Sequence, residues 1–257
     1  MWKNLPAHTR LYRITRSGEQ WPGVLQGIGS FFNAGGRYNL PHQMTVYSSD
    51  DPLVALAEFA YHQVISWCEM AALDQPLPSP LRSSARLWCF EPTRSIPLVD
   101  ISRPTARNQF NYPAHAPSNP NDRVYTSTQS IANRIRNLSP QQPRTRPEGI
   151  WAPSVRTPRI AKYQPSLCAL FVFPPNVGPG PLDTYCQLIA DWEIDLEFRS
   201  TPPRRAVVTS TARIDWLTPR FRLRGNVSTV QPAKNRPKAI LFSPDVWHDL
   251  ILQFTCV

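Results

Sequence analysis

Proline is the residue that most restricts how this chain can fold. The 257 residues include 29 prolines, many of them clustered at 75–80, 113–120 and 140–147. Proline has no backbone N–H to donate and clashes with the preceding helical turn, so it interrupts both helices and sheet ladders. The clusters therefore predict extended loops between short elements, and we expect an irregular fold with much coil.

The composition is that of a folded and strongly basic protein. Apolar residues make up 41% of the sequence, and the formal net charge is +10. A chain of this length can bury a sizeable core. The positive charge favours a polyanionic partner, which can be nucleic acid, an anionic membrane surface or a phosphate-bearing small molecule. Net charge alone does not choose among them.

Cysteine usage and the first residues indicate a reducing environment. The five cysteines show no C-x-x-C spacing and have no histidine pair nearby, so we expect no metal site. Their odd number and apolar neighbours are typical of buried reduced thiols. The chain begins without the apolar region of a signal peptide and has no run near the roughly 20 apolar residues of a membrane span. We therefore expect a soluble, cytoplasmic protein without membrane contact.

Hydrophobic periodicity predicts short strands and two helices. The expected strands lie at 9–15, 45–48, 86–91, 96–101, 167–173 and 191–198. One helix is expected from Asp50 or Asp51, with Pro52 in its first turn, to Cys68. A second helix is expected to begin at a T-x-x-Q capping box formed by Thr126 and Gln129.

Two candidate site residues stand out on their local sequence. Arg37 follows two glycines, so it can present its guanidinium and adjacent backbone N–H groups to an anion, or it can simply follow a turn. Glu58 lies beside the apolar face of the first predicted helix, where a charge is costly unless it has a partner or a task. A structural ion pair explains Glu58 equally well. His62 lies one helical turn later, and a pair with Glu58 would either support the site or be a surface pair.

Two further residues are ambiguous when taken alone. Tyr47, in a short predicted strand, can stack on an aromatic ligand, although a tyrosine in a strand more often packs in the core. Ser154 follows a proline in an extended segment, with Arg156 on the same face. A serine in such a loop is usually a solvated hydroxyl.

Taken in order, these segments resemble the RES family of NAD-degrading toxins. The resemblance covers roughly 11–174, through the pieces TRLYRIT, GIGSFFNAGGRYN, VYSSDDPLVALAEF, YTSTQSIANRIR, GIWAPSVR and LCALFVF. Several independent pieces in the right order are far more specific than any one of them. There are two departures: Tyr38 stands where the family usually has tryptophan, and the short toxins largely lack the segment after Pro174.

The resemblance implies an α+β fold with an ADP-ribosyltransferase-like split β-sheet core at 9–175 and a basic, β-rich extension at 176–257. It implies an enzyme that releases nicotinamide from NAD by phosphorolysis or hydrolysis and thereby inhibits growth. NAD is then the substrate and inorganic phosphate a candidate co-substrate, without a metal or further cofactor. A cognate antitoxin and a homo-oligomer are the protein partners that the resemblance suggests.

The resemblance also assigns roles to individual residues. Those that match the family's site are Arg13, Arg37, Asn39, Tyr47, Glu58 and Ser154. The glutamate would stabilise the oxocarbenium-like sugar left when nicotinamide departs. The tyrosine would stack on nicotinamide, the arginines would bind phosphate groups, and the serine would bond a ribose or phosphate oxygen.

Two alternative functions remain at this stage. A protein mono-ADP-ribosyltransferase would use the same NAD-binding residues with a protein side chain as acceptor. A nucleic-acid-binding module is less favoured, although ten basic residues and one acid, Asp215, lie in 199–238. Trp216 and Phe221 could stack on bases there. However, the alternation of arginine with apolar residues at 221–224 also fits an ordinary exposed strand.

Overall fold

A single mixed sheet organises the protein in the computed structural model. The structure describes residues 2–32, 35–52, 54–56, 58–59, 62, 82–112, 122–138, 146–154, 166–174, 180–199 and 220–223. The strands are β1 Trp2–Leu5, β2 Leu11–Arg16, β3 Thr45–Ser49, β4 Arg82–Pro92, β5 Ile96–Asp100, β6 Gly149–Pro153, β7 Ser166–Phe171, β8 Cys186–Arg199 and β9 Arg220–Leu223. The helices are α1 Ile28–Phe32, α2 with helical residues at 52, 54–56, 58–59 and 62, α3 Pro104–Phe110 and α4 Asp122–Arg136. Short 3-10 helices lie at Gly23–Leu25 and Leu182–Thr184.

The sheet splits between two of its strands. The strand order is β1-β5-β6-β7-β3-β2-β4-β8-β9, with β5 and β6 parallel and the other neighbours antiparallel. Within the described residues, β2 and β3 share one registered pair, Tyr12 with Ser49, whereas β2 shares six with β4 and β3 shares five with β7. The strands therefore diverge beyond that pair, and the expected α+β split sheet is confirmed.

Alternating side chains build a core on each face of the sheet. Leu170 joins a cluster with Trp88 and Phe90, whereas its neighbour Phe171 joins a second cluster on the opposite face. Helices α3 and α4 contribute to that second cluster, which we call the helix-covered core. Strand β7 contributes to both clusters, and its residues from 167 to 171 are all buried. A strand buried on both faces explains its unbroken apolar sequence.

Most of the predicted elements are confirmed. Strands β2, β3, β4, β5, β7 and β8 lie where periodicity placed them, with ends that differ by a few residues. Helix α2 begins as expected, because the carbonyl of Asp51 accepts a hydrogen bond from the N–H of Ala55 at 3.2 Å. Residues 63–81, which include the predicted end of this helix, lie outside the described residues.

The predicted capping box at the start of the second helix is wrong. Helix α4 begins at Asp122, so Thr126 lies inside the helix and does not cap it. The side chain of Gln129 instead reaches a loop 93 residues earlier in the chain. Further elements were not predicted, among them β1, α1 and α3. Strand β1 is too short to show a period. Helix α3 begins with Pro104 and ends at Phe110, where Asn111 is the C-cap with φ of 52°.

The thiols in the described part of the chain are buried and reduced, as expected. Cys89, Cys168 and Cys186 are free. Burial raises the pKa of Cys89 to about 11 and that of Cys186 to about 12, so both stay protonated at neutral pH. Cys68 and Cys256 lie outside the described residues. None of the helices that the structure describes is long and apolar enough to span a bilayer.

The segment after Pro174 continues the sheet as far as it is described. Strand β8 pairs with β4 from Cys186 to Glu197, and β9 pairs with the end of β8. The strand expected around Phe221 is therefore confirmed, while most of the basic segment lies outside the described residues.

We predict that Gly149→Ala destabilises the protein. An added Cβ would clash with the carbonyl oxygen of Ala169 on β7 and lie 2.9 Å from a methyl group of Leu98. Overpacking of this kind costs about 1–3 kcal/mol. Urea unfolding measures the loss, with Gly18→Ala as the matched control, because a Cβ at Gly18 meets nothing within 4 Å. Equal stability of the two variants would contradict this account of the β6–β7 contact.

Candidate active site

Glu58 and Ser154 meet although 96 residues separate them in sequence. The Ser154 hydroxyl donates a hydrogen bond of 3.1 Å to Oε1 of Glu58. Ser154 directly follows β6 and is 9% exposed, while Glu58 lies half-buried on α2. The carboxylate therefore has a partner from a different part of the chain. Sequence reasoning took the serine alone as an ordinary loop hydroxyl, and tertiary structure reverses that interpretation.

The register of β7 explains this meeting. The last residue of β3, Ser49, pairs with Leu167, and the last residue of β6, Pro153, pairs with Ser166. Both strands consequently end at the same edge of the sheet, beside the start of β7. Helix α2 leaves from the end of β3 and Ser154 follows the end of β6, so Glu58 and Ser154 are brought together there.

The start of α2 is held by a local serine turn. The Ser49 hydroxyl donates to the carbonyl of Asp51 and accepts from its N–H at 2.9 Å. Such a turn links the end of β3 to the residue that directly precedes the helix and leaves little freedom in the direction of the helix. The position of Glu58, two turns later, therefore depends on β3 as well as on Ser154.

A hydroxyl group of β3 organises the loop that carries Arg37. The Tyr47 hydroxyl donates to Oδ1 of Asn39 at 2.7 Å and accepts from the N–H of Tyr38 at 2.9 Å. Asn39 Oδ1 also accepts from the N–H of Gly36 at 2.9 Å, and Asn39 is fully buried. The residues on both sides of Arg37, Gly36 and Tyr38, are therefore held by hydrogen bonds.

The two glycines before Arg37 are required by this geometry. Gly35 has φ of +88°, a conformation that glycine adopts without strain. A Cβ on Gly36 would lie 2.5 Å from the Tyr47 hydroxyl oxygen and 2.8 Å from Asn39 Oδ1. The Gly-Gly pair thus lets the backbone approach the tyrosine closely. A simple turn at this position would not require that close approach.

Both the ring and the hydroxyl group of Tyr47 make contacts within the protein. Its half-buried ring packs against the helix-covered core, and its hydroxyl is bonded within the loop. Of the two interpretations of Tyr47 from sequence, core packing is therefore seen directly. Its predicted contact with an aromatic ligand stays a prediction.

Arg13 lies where the sheet splits. Its Nη1 donates a 2.9 Å hydrogen bond to the backbone carbonyl of Tyr47. Arg13 is beyond the single pair that joins β2 and β3, so its guanidinium replaces a ladder bond that the diverging strands do not make. Burial lowers the pKa of Arg13, and its Nε is buried without a hydrogen-bond partner. A half-buried cation whose Nε is an unused buried donor favours an anionic ligand.

A buried tyrosine pair lies behind the Arg37 loop. The hydroxyl groups of Tyr38 and Tyr112 are 3.1 Å apart. Burial raises the pKa of both phenols, and the positive charge of Arg37 opposes that rise in each case. The Arg37 charge is therefore close enough to act on both hydroxyl groups. Tyr38, at the position where the resemblance led us to expect tryptophan, uses its hydroxyl in this pair.

The hydrogen bonds described above bring the predicted residues into two groups. Arg13, Tyr47 and Asn39 form one with the Arg37 loop, and Glu58 with Ser154 forms the other. Strand β3 carries Tyr47 and leads into α2, so it joins the two groups. Arg156 lies outside the described residues. The part of the chain that the structure describes contains no cluster of three or more histidine, cysteine or acidic residues suited to a metal ion.

We predict that Tyr47→Phe destabilises the protein by about 1–3 kcal/mol, because it leaves the Tyr38 N–H and Asn39 Oδ1 each short of a hydrogen bond. Denaturant unfolding measures this loss. Tyr112→Phe is the control, since it removes one contact between two hydroxyl groups and should cost less. A Tyr47→Phe variant as stable as the wild type would show that these bonds do not hold the loop.

Comparison with known proteins identifies the family. The model of the RES domain matches residues 10–194, a range that contains both groups of candidate residues. Among solved structures, a chain from the crystal structure of the M. tuberculosis MbcT–MbcA toxin–antitoxin complex is similar, with 15% identity and a TM-score of 0.47. That similarity covers 74% of this chain and 86% of the other. A comparison with curated proteins finds no match. The RES domain match spans well over half of the sequence, and the chain therefore belongs to the RES domain family.

Proposed function

We propose that this protein cleaves NAD and releases nicotinamide. The hydrogen bond between Ser154 and Glu58 supports the proposal most directly, because it holds a carboxylate beside a second polar group at the edge of the sheet. Membership of the RES domain family supports NAD as the substrate. The local sequence indicated Glu58 and the family resemblance added Ser154, and no local sequence signal brings the two residues together.

Glu58 is proposed to stabilise the reacting sugar. Loss of nicotinamide leaves a positively charged, oxocarbenium-like ribose, and a fixed carboxylate lowers the energy of that charge. The Ser154 hydroxyl limits the rotation of the Glu58 side chain, so little reorganisation is needed as the charge develops. The second carboxylate oxygen can then accept a hydrogen bond from a ribose hydroxyl.

The arginines are proposed to bind the anionic part of NAD. Arg37, on its anchored loop, suits a bidentate contact with the pyrophosphate or with an attacking phosphate. Arg13 contributes a half-buried positive charge at the split of the sheet, and Asn39 keeps the loop in place. Tyr47 is proposed to face nicotinamide with its ring while its hydroxyl stays bonded to the loop.

Nicotinamide release tests this proposal. Purified wild-type protein is expected to release nicotinamide from NAD, and Glu58→Gln is expected to lower kcat by at least about 100-fold, since it removes the charge that stabilises the sugar. Ser154→Ala should lower kcat by on the order of 10-fold, the effect of one hydrogen bond to a charged group. Arg37→Ala should chiefly raise KM. Chromatographic detection of nicotinamide measures all three effects.

A matched control separates the site from general charge effects. Asp183→Asn replaces an exposed carboxylate and should retain wild-type activity. Release that requires inorganic phosphate identifies a phosphorylase, and release without it identifies a glycohydrolase. Transfer of labelled ADP-ribose to protein would instead favour the mono-ADP-ribosyltransferase. Absence of nicotinamide release from folded wild-type protein, with and without phosphate, would refute the proposal.

We infer further that NAD loss makes the protein a growth-inhibiting toxin, for which an antitoxin is the expected protein partner. Induced expression of the wild type in bacterial cells should stop growth and deplete NAD, whereas Glu58→Gln at equal abundance should do neither. Growth curves with parallel NAD assays measure this. Growth arrest by Glu58→Gln without NAD loss would show that toxicity has another cause.

A further inference from the structure

Helix α4 contacts the Arg37 loop through three polar side chains at regular spacing. Gln129 donates from Nε2 to the carbonyl of Gly36 at 3.0 Å, and Asn133 accepts from the side chain of Gln43 at 2.7 Å. Arg136 donates to the carbonyl of Met44 and to the Thr45 hydroxyl, each at 2.8 Å. A separation of four and then three residues puts the three side chains on one face of a helix. This polar face therefore runs along the loop from Gly36 to the start of β3.

The first of these contacts acts on the peptide group next to Arg37. The carbonyl of Gly36 and the N–H of Arg37 belong to the same peptide plane, which Gln129 holds from α4. The next peptide plane contains the N–H of Tyr38, which Tyr47 holds from β3. With both flanking planes bonded to side chains from other elements, φ and ψ of Arg37 have little freedom.

We infer that Gln129 is a positioning residue for Arg37. Its amide bonds the backbone that carries the guanidinium, and it sets the direction in which Arg37 leaves the loop. The inference rests on the proposed function, in which Arg37 binds the anionic part of the substrate. Binding groups must be held within about 0.5 Å of a productive geometry. A peptide plane freed to rotate would move the guanidinium by more than that.

The other two contacts on this face have a different task. Arg136 is buried, lies over the rings of Phe171 and Phe173, and joins the start of β3 to the core. Asn133 holds Gln43 near the same end of the loop. The fold at the base of the loop therefore has its own supports, and loss of the Gln129 amide should disturb the Arg37 end selectively.

The test is a near-isosteric variant without a donor, Gln129→Met, in a double-mutant cycle with Arg37→Ala. We expect Gln129→Met to lower kcat/KM for NAD cleavage by about 10- to 100-fold, the effect of a misplaced binding group. In the Arg37→Ala background the same change should have an effect of less than about 2-fold, because its influence passes through Arg37. Ser130→Ala, at an exposed position of the same helix, is the control and should leave kcat/KM unchanged. Equal effects of Gln129→Met with and without Arg37 would overturn the inference.

A second measurement does not depend on activity. Hydrogen exchange of the backbone amides of Gly36, Tyr38 and Asn39 reports directly on the anchoring of the loop. Gln129→Met should speed their exchange by about 10-fold or more and leave the amides of β7 unchanged, whereas Ser130→Ala should change neither. Faster loop exchange in Gln129→Met, together with a wild-type protein that does not cleave NAD, would support the positioning role and refute the proposed function. Unchanged loop exchange would overturn the positioning role whatever the activity.

Discussion

The position of the loop that carries Arg37 depends on the hydroxyl group of Tyr47. This hydroxyl forms hydrogen bonds with two residues of the Arg37 loop. The backbone carbonyl of Tyr47 accepts a third hydrogen bond from the Arg13 guanidinium. The tyrosine ring is held by the helix-covered core, so the position of the loop follows from the packing of the sheet. This close approach is available only if the residue opposite has no Cβ, which explains the glycine at 36. One strand residue thereby connects the core, the split in the sheet and the loop.

The contact between Glu58 and Ser154 depends on the register of the sheet. Strands β3 and β6 are both neighbours of β7 and end beside its first residues. Glu58 and Ser154 leave from those two ends and meet. A rigid sheet that places loop and helix-terminal residues at one edge is a common way to hold chemistry in position. The site therefore has supports on both sides that belong to the core, and β3 is shared by both.

Local patterns predicted the elements that pack by simple periodicity and failed where distant partners decide the structure. The apolar run at 167–173 predicted a buried strand because both faces of β7 are covered. The T-x-x-Q pattern at Thr126 was misleading, since a helix that starts four residues earlier turns the same two residues into interior positions. The same pattern predicts Gln129 as part of a cap, although its amide bonds a loop on another part of the chain. Strand β1 is formed by pairing with β5. A segment of four residues is too short for its own sequence to predict that pairing.

The sequence by itself determined the family, the type of fold and the identity of the candidate residues, because those depend on the order of motifs and on short-range spacing. It also indicated that Glu58 needs a partner, from the cost of a charge beside an apolar helix face. Tertiary structure decided which partner that is, since Ser154 reaches Glu58 only through the shared neighbour β7. It also decided that Tyr47 and Gln129 hold the backbone around Arg37. These contacts join residues 9 to 96 positions apart, and no local pattern encodes the register that aligns them.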